Sequence, residues 1–110
     1  MNNLKEYIVC AAIHFQDGIH YNNQPLNVMS GLVICGYRHG SIFGITKGLN
    51  YKKPDVQIQG FLTSRNRFVD RTEAKILALN CGQICENTDP NYTGYTGEEL
   101  FSEDLYSSKD

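Results

Sequence analysis

Apolar and polar positions fall into two rhythms along the chain. From Glu6 to Phe15 it reads EYIVCAAIHF, an apolar, β-branched and aromatic run that predicts a buried strand. Asp17-Gly18 follows, a two-residue turn signal in which Gly18 takes positive φ without strain. It predicts a hairpin pairing 10–16 with 19–22, with His14 and His20 as structural residues across it. NNQPLN (22–27) reads as a loop. VMSGLVICGY (28–37) predicts a central strand from Gly31 to Cys35, ended or bulged by Gly36. RHGSIFGITKG (38–48) predicts a short helix over 42–47 capped by Ser41. Gly40, Gly44 and Gly48 weaken it. YKKPD (51–55) is an exposed turn, and VQIQGFLT (56–63) alternates as a strand with a slip at Gly60. Asn66 marks the next turn.

The period then changes. Ala74, Leu77, Ala78 and Cys81 recur at helical spacing, which buries one face of a helix over 71–81. Asp70 is its N-cap, with Glu73 three residues later as in a capping box. Val69 and Ala74 form a hydrophobic staple, and Gly82 supplies the C-terminal stop. ENTDPNYTGYTG (86–97) is a polar loop. GEELFSEDLY (97–106) sets Leu100, Phe101, Leu105 and Tyr106 among four acids, anchors that a disordered tail rarely carries. The fold class is α+β: a small antiparallel sheet from the N-terminal half, with one or two helices in the C-terminal half. A chain of 110 residues suits one domain, 1–110, with 98–110 as an acidic docking tail.

Charge sharpens the picture. Residues 1–85 carry nine bases and five acids, a balance of +4, while 86–110 carry one base and seven acids, a balance of −6. Either the tail folds back on the basic body, or the body holds an anionic ligand. Duplex DNA is a poor partner for such a distribution. No segment reaches the length of a membrane span and no leader opens the chain, so a cytosolic location is expected. The cysteines are Cys10, Cys35, Cys81 and Cys85; CGQIC has three intervening residues and no histidine partner, so they read as reduced, buried thiols rather than zinc ligands.

Three arginines, Arg65, Arg67 and Arg71, cluster before and at the start of the 71–81 helix, where dipole and N–H groups favour anions. Their planar forks match phosphate oxygens. Asp70 competes for the same helix end, and pairing with Asp70, Glu73 or the tail stays open as the alternative. Tyr37, Arg38 and His39 leave a buried strand end, a place where binding groups gather, though an ordinary solvated turn has the same composition. Phe68 beside Arg67 suits a nucleobase or a core equally. A Cys35–His39 catalytic pair has no supporting local pattern, and the acids Glu98, Glu99, Glu103 and Asp104 read as solvated or helix-start charges before metal ligands.

GLVICGYRHG, QGFLTSRNRFVDRTEA and CGQI, followed by a polar loop and LFSEDLY, resemble the Thoeris anti-defence type 1 family over about residues 7–106. Those are phage-encoded sponges for immune signals made from NAD and related nucleotides. Gly40 stands where the family pattern carries a further histidine after RH. The resemblance implies homodimers, in some members trimers of dimers, with recessed pockets between subunits for glycocyclic ADP-ribose. It also implies, for some members, a separate site for cyclic di- or trinucleotides. Tight binding without cleavage and without a cofactor is the implied activity.

Chemistry assigns residues to such a ligand as expectations. Arg38, Arg65, Arg67 and Arg71 offer forks for a pyrophosphate, and His39 a donor. Phe68 or Tyr106 offers a flat partner for adenine, and Asn66 or Asp104 a polar edge for base or ribose. Two other classes stay open: a small hydrolase of a cyclic nucleotide or ADP-ribose derivative, using His39 or Asp104, and a protein-interaction module joining the basic body and acidic tail to a host factor.

Overall fold

The computed structural model describes residues 5–84 and 98–105. Four strands, β1 (Ile8–Phe15), β2 (Leu32–Gly36), β3 (Gln57–Thr63) and β4 (Phe68–Asp70), form one antiparallel sheet in the order β2-β1-β3-β4. Helix α1 (His39–Gly48) joins β2 to β3, α2 (Arg71–Cys81) follows β4, and a single turn, α3 (Ser102–Leu105), lies in the tail. The architecture is α+β, as the sequence pattern predicts, with α1 already in the N-terminal half.

The core follows from the pleat, which sends alternate side chains to one face. Val69, Phe61 and Ala11 stand side by side across β4, β3 and β1. Ile13 and Phe15 continue that face, and Ile42 of α1, Ala74 and Ala78 of α2, and Leu100 join them in one buried cluster. Both helices therefore contribute to the same core, where α1 buries His39, Ile42 and Thr46. Its glycines have open space beside them, so they do not interrupt the packing.

Four expectations are corrected by this arrangement. No strand forms over 19–22, because β1 already has β2 on one edge and β3 on the other. Gly18 does take positive φ, at 78°. However, Asp17 starts a loop rather than a hairpin: its carboxylate accepts from the Ile19 N–H and from the hydroxyls of Tyr21 and Tyr51. His14 and His20 accordingly meet loop carbonyls, those of Ser30 and Met29. That loop is tethered to both outer strands, since Gln24 accepts from the Val33 N–H of β2 and the Asn27 amide bonds both the N–H and the carbonyl of Phe68.

The strand predicted from Gly31 to Cys35 runs one residue later, and Gly36 does end it. Ser41 caps nothing: α1 starts at His39 after Arg38, with no side-chain cap. Gly60 is in regular register, and the shift in pairing lies between Ile8 and Cys10 instead. Gly60 is needed for closeness: a Cβ there would meet the Val69 carbonyl oxygen at 2.0 Å. By contrast, α2 has the predicted bounds and caps. Asp70 accepts from the Glu73 N–H at 2.9 Å, and Gly82 takes the left-handed conformation at φ 69°.

Candidate functional site

The start of α1 faces the tail across a cleft of about 330 Å³. One wall is the first turn of α1, from Arg38 to Ser41; the other is Arg71, Phe101 and Ser102. The strand-to-helix junction sets the first wall, because β2 ends at Gly36 and the helix begins three residues on. Leu100, fully buried in the core, sets the second by fixing Phe101 and Ser102 beside it.

Arg71 fastens the second wall to the sheet. Its Nη1 donates to the Leu100 carbonyl at 2.7 Å and its Nη2 to Gln59 Oε1 at 2.6 Å. Its guanidinium carbon lies 4.6 Å from the centre of the Phe101 ring, a cation–π contact. Arg38 lies 5.4 Å from the centre of the Tyr37 ring. Two cationic forks and the positive end of a helix dipole thus border one hollow, which favours an anion.

His39 forms the floor and is 8% exposed. Its Nε2 contacts the Gly60 carbonyl at 2.8 Å, and its Nδ1 contacts Ser102 Oγ at 3.0 Å. A carbonyl only accepts, so Nε2 carries the hydrogen; in the neutral ring Nδ1 then accepts from the Ser102 hydroxyl. The ring stands edge-on to Phe61 at 5.1 Å. Asp104 is buried and accepts from the Phe101 N–H, so it shapes the turn that presents Phe101.

The structure brings Arg38, His39 and Arg71 together and places Arg65, Asn66, Arg67 and Phe68 elsewhere. Arg67 pairs with Glu6 through Nε and Nη2, both at 2.8 Å, and with Glu73 at 3.0 Å. That fork, with a hydrogen bond from Thr63, holds the Glu6 carboxyl down at about 2, and its partners push Arg67 up. Arg67 is therefore an internal partner, with Glu73 among the acids that sequence proximity offered. Arg65 is exposed and lines a different hollow with Lys5 and Asn80. Asn66 holds a turn at φ 58°, and its carbonyl accepts from the Leu26 N–H. Phe68 is buried with its ring 5.6 Å from that of His14. Tyr106 lies outside the described residues, as does the 86–97 loop.

The cleft adds Phe101, Ser102, Gly40 and Ser41 to the set that sequence reasoning assembled. The signal for Phe101 was its neighbour: an apolar anchor such as Leu100 must bury, and burying it delivers the next ring to the surface nearby. Among the described residues no group of three or more metal-ligating side chains occurs, and no helix is long and apolar enough to cross a membrane.

The sequence pattern of a family described as Phage T4 y16D protein matches residues 7–106. No curated protein and no solved structure matches the chain significantly.

Proposed function

The chain belongs to the phage T4 y16D protein family, and from that premise we propose that it is a phage-encoded binder that sequesters a nucleotide immune signal without cleaving it. The observation that carries the reading is the cleft in which Arg38 and Arg71 flank the first turn of α1, with Phe101 beside them. A nucleotide with a charged phosphate group and a flat base meets complementary chemistry there: cationic forks and helix dipole for the one, an aromatic face for the other. The resemblance to Thoeris anti-defence type 1 sponges narrows the ligand class to glycocyclic ADP-ribose, with cyclic di- or trinucleotides next. It also supports action in the host cytoplasm as a homodimer or trimer of dimers.

His39 braces the tail against β3: its Nε2–H donates to the Gly60 carbonyl and its Nδ1 meets the Ser102 hydroxyl. A hydrolase is the second reading, favoured by one contact, the Ser102 hydroxyl on His39 Nδ1. Ser102 is only 3% exposed, which leaves little access for an incoming phosphorus.

Ligand recovery separates the two readings. The protein is incubated with cyclic ADP-ribose isomers, freed of unbound ligand, denatured by heat, and the supernatant is chromatographed. Recovery of intact ligand in stoichiometric amount supports sequestration. Recovery of linear products, formed over many turnovers and lost in Ser102→Ala, supports the hydrolase and overturns the proposal.

A further inference from the structure

Phe101 is held more firmly than an exposed ring needs to be. It is 37% exposed, yet its backbone and its ring are both fixed. Its N–H donates to Asp104 Oδ2 at 2.8 Å. The Leu100 carbonyl before it accepts from Arg71 Nη1, and the Arg71 guanidinium lies over its ring at 4.6 Å.

Gln59 holds the guanidinium in turn, accepting from Arg71 Nη2 at 2.6 Å. Gln59 stands opposite Ile13 and two positions along β3 from Phe61, so it belongs to the sheet face that builds the core. A polar side chain on that face needs a hydrogen-bond partner. Arg71 supplies it. An amide on a central strand thus orients the cation, and the cation orients the ring. Both terminal nitrogens of Arg71 already donate to protein, so its direction is set before any ligand arrives.

We propose that Gln59 and Arg71 are positioning residues that present Phe101 as a stacking platform for a nucleobase, with Arg38 the side chain that grips the phosphate. The inference rests on the nucleotide-binding reading and specifies it: the site selects a base-bearing phosphate over a bare one. A ring that is already fixed loses little freedom when a base stacks on it, so more of the stacking energy appears as affinity. Arg71 still adds its charge to the cleft, but its role in recognition runs through Phe101.

The test is calorimetric titration of the full-length chain with adenosine diphosphate and with inorganic pyrophosphate, two probes that differ by the nucleoside. The readout is the ratio of the two affinities, which a general weakening of the fold does not move. Wild type is expected to favour adenosine diphosphate by about fivefold or more. Phe101→Leu, Gln59→Met and Arg71→Lys should each collapse that ratio towards unity. Arg38→Ala should weaken both probes and keep the ratio. The inference is overturned if Phe101→Leu keeps the ratio, or if Arg71→Lys loses pyrophosphate as Arg38→Ala does. Wild type that binds neither probe, or both equally, overturns it too. Should Arg71→Lys not fold, Phe101→Leu and Gln59→Met decide. Titration of the same preparation with cyclic ADP-ribose isomers keeps the two failures apart. Isomers bound without the expected ratio sink this inference alone. A ratio that collapses as expected, with no isomer bound, sinks only the proposed sequestration of such signals.

Discussion

Arg71 and Leu100 hold each other twice. The Leu100 N–H donates to the Arg71 carbonyl at 2.9 Å, and Arg71 Nη1 donates to the Leu100 carbonyl at 2.7 Å. Main chain binds main chain and side chain binds main chain at one junction, where α2 starts and the tail arrives. The consequence is that the tail wall of the cleft is part of the folded body: Leu100 lies in the core, and Phe101 follows it to the surface.

Removing the Leu100 side chain should therefore unseat the wall and weaken the whole fold. Leu100→Ala is expected to cost about 3 kcal/mol, typical for a large-to-small change at a fully buried site. Urea denaturation reads the loss. Limited proteolysis should cut within 98–105 earlier than in the wild type. A cost below about 1 kcal/mol would show that the tail is only loosely attached.

Gly60 should tolerate nothing larger. In Gly60→Ala the new Cβ meets a backbone oxygen of the neighbouring strand, which cannot rotate away as a side chain would. The expected cost exceeds the roughly 1–3 kcal/mol of ordinary overpacking. Because His39 Nε2 bonds the Gly60 carbonyl, the floor of the cleft should shift as well. Circular dichroism on heating checks the stability, and a melting temperature close to that of the wild type would refute the account of this strand.

Acid sensitivity should trace to Glu6. Its carboxyl is held at about 2, against an ordinary 4.5, chiefly by the hydrogen bonds from Arg67. A depressed value means that folding favours the charged form. The stabilisation is complete above about pH 4.5 and is lost as pH falls through about 2. Glu6→Gln should thus be less stable than the wild type at neutral pH, with the gap closing across that window. A gap independent of pH would contradict the pairing.

At the alkaline end the Tyr51 hydroxyl plays the opposite part. Burial and its bond to Asp17 push it up from the ordinary tyrosine value. A raised value means that its contribution is full below about pH 10, the unfolded tyrosine value, and declines as pH climbs towards the folded one. The stability difference between wild type and Tyr51→Phe should shrink above pH ~10. Chemical denaturation across the alkaline range measures it; a constant difference would mean that the Tyr51–Asp17 bond contributes nothing.

What was legible in the sequence was local. Asp70, Glu73 and Gly82 announce both ends of α2 within a dozen residues, because caps act on the helix that carries them. Strand pairing is not local. Asp17-Gly18 looks like a hairpin turn, yet the neighbours of β1 are chosen by burial across the whole sheet. Gly60 looks like a bulge because its function depends on Val69, whose approach only the folded sheet creates. The arginines divide in the same way. Glu73, the near partner of Arg67, could be read from spacing, but Glu6 is 61 residues away. Likewise, Arg38 and Arg71 meet only because α1 and the tail converge on one end of the core.

The central claim is that the anion site lies between Arg38 and Arg71, and calorimetric titration tests it most directly. Wild type, Arg38→Ala and Arg65→Ala are each titrated with cyclic ADP-ribose isomers. The account predicts saturable binding by the wild type, a loss of at least about tenfold in Arg38→Ala, equivalent to about 1.4 kcal/mol, and little change in Arg65→Ala. No binding by the wild type, or a loss confined to Arg65→Ala, would contradict it.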